Sequence, residues 1–266
     1  MIELTQINVY PVKSCKGTAM ARAELTPFGL LNDRRWMVVD SEGVFVSQRS
    51  IPAMSLIEPS LSDSGLILKA PEMEPIEIPF QKDPDRNLTV RIWDDDCAAL
   101  DCGDNAARWL TKFLGTNVRL VTRGNAFDRR VNPQYSQNRD RVGFADAFPL
   151  LLISSASLRD LNDRLDRPIP MNRFRPNLVV SGCEPYAEDR WKRVSFGGAI
   201  MSVCKPCSRC TIPTVDQSTG VRGTEPSTTL ATYRRGPDGK VFFGQNLVNE
   251  KKSGELVLGM EVNVLA

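Results

Sequence analysis

The chain of 266 residues is long enough for one large domain or two small ones, and its 41% apolar and 25% charged content is that of a globular protein with a substantial core. A formal charge of +2 gives no global case for stable nucleic-acid or membrane binding, although 24 of the 34 basic residues are Arg, the side chain suited to bidentate contact with phosphate or carboxylate. Histidine is absent, so metal or redox chemistry falls to thiolates and carboxylates, and the seven Cys (15, 97, 102, 183, 204, 207 and 210) are scattered as in a reducing compartment, not spaced as a disulfide framework.

Met1-Ile-Glu-Leu-Thr-Gln is an acidic, strand-like opening without a basic leader or an apolar run of about 18 residues, so a cytoplasmic location is expected. Arg35–Val39 and Val44–Val46 flank Asp40-Ser-Glu-Gly43 and predict a hairpin. Gly65–Leu68, Ile76–Ile78 and Leu88–Trp93 read as further strands. Ala106, Ala107, Trp109, Leu110, Phe113 and Leu114 fall at helical spacing, with Asp104 as the candidate N-cap and Gly115 past the end, which predicts a helix packing one face on a sheet.

Between Arg123 and Ala147 the apolar pattern lapses, and Arg123, Arg129, Arg130, Arg139 and Arg141 stand among Asn, Gln and Asp. So long a stretch is either a linker or a loop at the mouth of a site, and the domain boundary is set near its start. Beyond it come a strand at Pro149–Ile153, a helix from Ser154 or Ser155 to about Leu165, a strand at Asn177–Gly182, a hairpin over Trp191–Val203 turning at Gly197-Gly198, and strands at Lys240–Phe243 and Glu261–Leu265. Strands predominate, helices are few and no βαβ alternation is visible. The fold class is mainly β with a few helices (α+β), barrel-like in both halves.

Three segments concentrate chemistry. In Lys205-Pro-Cys-Ser-Arg-Cys210 the thiols at 204, 207 and 210 are spaced to share a soft metal. Position 214 is Thr, where a ferredoxin run needs its fourth Cys, so the alternatives are a three-thiolate zinc or cluster site and buried thiols acting as small hydrophobes. In Val9-Tyr-Pro-Val-Lys-Ser-Cys-Lys-Gly17 a strand runs into a turn carrying Lys and Ser, a combination that holds phosphate or is simply a solvated turn. Asn172-Arg-Phe-Arg-Pro-Asn177 puts two Arg and two Asn ahead of an apolar strand.

Taken together with Asn32-Asp-Arg-Arg-Trp36, Phe174-Arg-Pro-Asn-Leu-Val-Val-Ser-Gly182 and Thr214-Val-Asp216, these segments resemble the MOSC family over essentially the whole chain, in the branch of the mitochondrial amidoxime-reducing components and their bacterial relatives. The resemblance implies a MOSC N-terminal β-barrel domain over residues 1–122 and a MOSC β-barrel domain over residues 123–266. It implies the molybdenum cofactor (Mo-molybdopterin) and reduction of N-hydroxylated compounds such as hydroxylamines, amidoximes or N-hydroxylated bases. The alternative within the same fold family is a cofactor carrier or sulfuration module without turnover.

Carried over residue by residue, the resemblance makes Cys210 the molybdenum ligand and a catalytic residue, with Ser208 and Arg209 lining the cofactor. Lys13, Ser14, Arg34 and Arg175 fall on the pterin's phosphate and ring polar groups, and Asp146 and Asn177 are further contacts. Asp216 is assigned to proton movement, and Cys204 and Cys207 either support the metal ligand from behind or are structural. Where mitochondrial members have a Tyr after Phe-Gly-Gln, Phe243-Gly-Gln is followed here by Asn246, which takes that cofactor-side place. Some bacterial relatives continue into a ferredoxin-like [2Fe-2S] domain. This sequence stops after its last strand pattern, so a separate electron-donor protein of ferredoxin or flavin type is expected as partner.

Overall fold

The computed structural model describes residues 1–80, 86–136 and 140–266. Arg139, one of the five Arg in the apolar lapse, lies outside the described residues. Among those described, seven strands close a barrel. Ile2–Val9 pairs antiparallel with Leu178–Ser181 on one side and with Glu261–Val264 on the other. The circuit continues through Arg193–Phe196, Ala199–Ser208, Phe242–Asn249 and Leu150–Ser154 back to Leu178–Ser181. Alternation along these strands turns Leu4, Leu152, Val180, Phe196, Met201 and Leu247 inward, where they fill the barrel core as close-packed apolar side chains.

A four-stranded antiparallel sheet, in the order Trp36–Val39, Arg119–Thr122, Asp95–Asp101, Asn87–Ile92, forms the second body with a three-stranded sheet of Glu58–Leu61, Gly65–Ala70 and Met73–Pro79. The helix Asp104–Leu114 lays Ala106, Trp109 and Leu110 on Val38, Leu66, Leu68 and Leu120, as its spacing predicts. Its cap differs from the expectation. Gly103 is the N-cap, and Asp104 is the first helical residue, its carboxylate paired with Arg119 at 2.8 Å. Gly115 ends the helix at φ 69°, the left-handed conformation that glycine adopts without a Cβ clash.

Two further features depart from the sequence reading. Leu150–Ser154 and Leu178–Ser181 pair in parallel across the helix Ser155–Asn162, so the barrel contains one βαβ crossover. Ser154 caps that helix by accepting from the Ser157 amide, and the helix ends at Asn162 instead of about Leu165 because the Asn162 side chain bonds both N–H and C=O of Ile169 and turns the chain back. Strand pairing also crosses the expected division at residue 122. Ile2–Val9 sits inside the barrel built by the C-terminal half, and Arg22–Thr26 pairs with Glu255–Val257. No helix among the described residues is long and apolar enough to cross a membrane.

Candidate functional site

Four turns meet above the end of the barrel. The chain leaving Ile2–Val9 passes Tyr10 to Lys13 and Ser14. The turn before Trp36–Val39 carries Arg34, the approach to Leu178–Ser181 carries Arg175 and Asn177, and the end of Ala199–Ser208 runs into Arg209 and Cys210. Together with Asp146 and with Asn246 on Phe242–Asn249, these residues line one cleft. Lys13, Ser14, Arg34, Asp146, Arg175, Asn177, Ser208, Arg209, Cys210 and Asn246 therefore share a cavity, although they span the chain from residue 13 to residue 246. Ser14, Arg34 and Arg175 all adopt left-handed backbone, at φ 66°, 43° and 58°. Such conformations cost roughly 1–2 kcal/mol each in a non-glycine residue and persist where the surroundings hold them.

The cations are fixed by the fold before any ligand arrives. Lys13 Nζ donates to the Phe144 carbonyl at 2.8 Å and to Asp146 Oδ1 at 2.5 Å. Burial pulls its ammonium down from 10.5 to about 8 despite the carboxylate beside it. Arg34 bonds Asp33, Asn177 Oδ1 at 2.9 Å and the Arg175 carbonyl. Asn177 also accepts from the Leu151 amide and donates to the Asn8 carbonyl, so its amide braces three elements and has little left to offer a ligand. The guanidiniums of Arg34 and Arg175 both lie 4.3 Å from the Tyr10 ring. Burial lowers Arg175 to about 10.

Arg209 donates from Nη2 to the Phe174 carbonyl at 2.8 Å and from Nη1 to Cys207 Sγ at 3.1 Å. The Ile212 amide points at Cys210 Sγ, 3.5 Å away, giving that sulfur a backbone donor. Asn246 is 3.4 Å from the Lys205 and Pro206 carbonyls. Several buried donors here have no protein partner: Nη2 of Arg175, Nε of Arg209, and Nε and Nη1 of Arg49. Unpaired buried guanidinium nitrogens are costly. An anionic ligand with several acceptor oxygens relieves that cost, while Cys210 adds one soft donor.

Arg49 escaped the sequence reading. It lies in the turn Ser47-Gln48-Arg49-Ser50, where no apolar periodicity marks it. Its Nη2 holds Asp146 Oδ2 at 2.6 Å, and although burial opposes its charge, Asp146 and Cys210 outweigh that and raise its pKa. Gln48 next to it exchanges amide hydrogen bonds with Gln217 and donates to the Ser14 carbonyl, tying this turn to the segment beyond Cys210. The lapse beginning at Arg123 delivers the other wall. Arg129 is buried and binds the carbonyls of Gly143, Ala145 and Asp146, which fixes the loop against the cleft.

One candidate site residue stands outside the cleft, and the three-thiolate alternative is not formed among the described residues. Asp216 does not line the cleft. Its carboxylate accepts from Ser218 Oγ and from the amides of Ser218 and Thr219, and pairs with Arg173 at 3.3 Å. The Ser218 hydroxyl, the nearby amides and Arg173 hold its pKa down at about 2 against a small burial effect, and the same bonds shape the turn. Nor do the three thiols converge, for among the described residues no group of three Cys, Asp or Glu side chains is placed to hold a metal. Cys204 Sγ faces the Tyr135 carbonyl, away from the cleft that Cys207 and Cys210 line.

A family model for the MOSC N-terminal beta barrel domain matches residues 1–117, and one for the MOSC domain matches residues 139–263. The chain is 38% identical over 244 residues to mitochondrial amidoxime reducing component 2 of Rattus norvegicus, covering 87% of this chain and 72% of that protein. It is 36% identical over 259 residues to mitochondrial amidoxime-reducing component 1 of Homo sapiens, covering 91% and 75%. Component 1 of Mus musculus is 37% identical over 258 residues, covering 91% and 74%. With both domain models matched in series and relatives above a third identical over about three quarters of their length, the chain belongs to the MOSC family.

Proposed function

We propose that this protein is a molybdenum-cofactor-dependent reductase of N-hydroxylated compounds. The observation that carries the reading is one cleft in which a soft sulfur, Cys210, stands beside buried guanidinium donors that lack protein partners. A phosphorylated, dithiolene-bearing pterin offers what those donors lack, so the residues present fit the group. Lys13, Arg34 and Arg175 are suited to its anionic end, Arg209 to its ring polar atoms, and Cys210 to its metal. When bound, the cofactor supplies the two-electron chemistry that removes oxygen from an N–O bond. The protein's share is to orient the cofactor, to hold its charge among cations fixed in advance, and to leave one side of the cleft open for substrate. Electrons are proposed to come from a separate donor protein. Relatives named for amidoxime reduction support the reaction class.

Protein made in a host that synthesises the cofactor is expected to carry near-stoichiometric molybdenum and to reduce an amidoxime with a chemical reductant. Cys210→Ser should keep its melting temperature and lose that turnover. Zinc or iron in place of molybdenum sinks the reading, and molybdenum without turnover leaves the carrier role in its place.

A further inference from the structure

Trp93 is an exposed tryptophan in a position built for a smaller residue. Ile92 pairs with Asp95, so Trp93 and Asp94 form the two-residue loop of a hairpin, and Trp93 adopts φ 56°. Gly, Asn and Asp fill such positions cheaply, whereas an indole there is strained. Its residue surface remains 47% exposed.

The loop is clamped to the rim of the cleft on two sides. The Arg49 guanidinium lies 4.7 Å from the indole ring while its Nη2 holds Asp146 at 2.6 Å. Asp95 binds Arg129 Nε at 2.7 Å, and Arg129 in turn holds the carbonyls of Ala145 and Asp146 at 2.6 and 2.7 Å. The Phe45 ring meets the indole edge-on at 5.0 Å, and Lys13 Nζ sits 5.0 Å from the Phe45 centroid. Arg49 and Phe45 thus fix the indole, and Arg49 joins it to Asp146 in the lining of the cleft.

We infer that Trp93 is a specificity-determining residue, a stacking platform that selects N-hydroxylated substrates carrying a planar aromatic ring next to the N–O group. This rests on the reductase reading for the reaction, while the platform itself is a matter of binding. A ring lying on a fixed indole loses little conformational freedom and gains offset-stacking contact. It also keeps the N–O substituent toward Arg49, which borders Cys210. An alkyl analogue has no face to present.

The test compares benzamidoxime with acetamidoxime on cofactor-loaded wild type, Trp93→Gly and Trp93→Phe. Glycine suits the loop conformation, so the first variant is expected to fold, and equal melting temperatures and equal pterin fluorescence after oxidation verify it. Calorimetric titration without reductant reads binding apart from turnover. The expected result is a wild-type preference for benzamidoxime that falls about five- to tenfold in Trp93→Gly and stays within about twofold in Trp93→Phe. With reductant, the KM ratio of aryl to alkyl substrate should rise by the same factor. Equal loss for both compounds, no loss for either, or no aryl preference in the wild type overturns the platform. If the wild type binds benzamidoxime through Trp93 but reduces neither compound, the platform stands and the reductase reading fails.

Discussion

Arg49 and Lys13 divide one carboxylate between them: Asp146 Oδ2 accepts from Arg49 Nη2 at 2.6 Å, and Oδ1 from Lys13 Nζ at 2.5 Å. These three residues are separated by up to 133 positions in sequence, and the carboxylate keeps two cations poised at the cleft before any ligand is bound. Partial burial opposes the charge on Asp146, but Lys13 and Arg49 prevail and hold it well below the ordinary carboxylate range.

Asp146→Asn is accordingly expected to destabilise the cofactor-free protein at pH 7 by about 1–2 kcal/mol, a figure kept small because 48% of the side chain is exposed and the pair is screened. A carboxylate with a lowered folded-state pKa contributes stability above its unfolded value near 4 and loses it as the pH falls toward the folded value. The gap between wild type and variant should therefore narrow below about pH 4, read by urea unfolding at a series of acid pH values. A gap that widens on acidification contradicts this pairing.

Lys13 gives a dependence of the same sign in a higher pH window. It is charged in both folded and unfolded chains below about 8, but between about 8 and 10.5 only the unfolded chain keeps its proton. The unfolded state then binds more protons, so this group's contribution to stability rises with pH over that window while its attraction for an anion declines. Retention of the phosphorylated pterin should fall above pH 8 as the melting temperature of the cofactor-free protein gains from the same deprotonation. A bound phosphate raises the Lys13 pKa and shifts the loss upward. Lys13→Met should retain little cofactor at any pH and show neither trend.

Tyr10 supports two arginines at once. Burial keeps its phenol neutral, raised to about 12 against the pull of Arg175 and Arg34, and its hydroxyl donates to the Pro176 carbonyl at 3.1 Å. Tyr10→Phe removes that one hydrogen bond and should cost about 1 kcal/mol with cofactor content intact. Tyr10→Leu also removes the ring beneath both guanidiniums, for about 2–4 kcal/mol and a marked loss of cofactor. Chemical denaturation and pterin fluorescence after oxidation separate the two effects.

Gly244 has φ 81°, and a Cβ there would meet Ile153 Cγ1 at 2.6 Å and the Leu152 carbonyl at 2.9 Å. It lies two residues before Asn246, in the strand that pairs with Leu150–Ser154. Gly244→Ala is expected to lose about 2–4 kcal/mol from backbone strain and overpacking, measured by urea unfolding.

Much of this molecule was legible locally. The hairpin around Asp40–Gly43 is present, with Val46 N donating to the Val38 carbonyl, and the helix Asp104–Leu114 follows its apolar spacing, because turn chemistry and period act within a few residues. The resemblance named ten cleft-lining residues before their positions in space were known. Asp216 lies six residues after Cys210, but a short chain distance says nothing about direction. The carboxylate turns back on the amides of Ser218 and Thr219.

The sequence by itself determined which side chains this protein has to work with: one Cys-Ser-Arg-Cys run, an excess of Arg over Lys, and no imidazole. Only the tertiary structure decided that the first strand belongs to the barrel of the C-terminal half, that Arg49 reaches Asp146 in the cleft while lying over Trp93, and that Cys204 faces away from the cleft. Strand pairing and buried ion pairs join residues a hundred or more positions apart. Their energy depends on register, burial and exclusion of water, and none of these leaves a periodic trace along the chain.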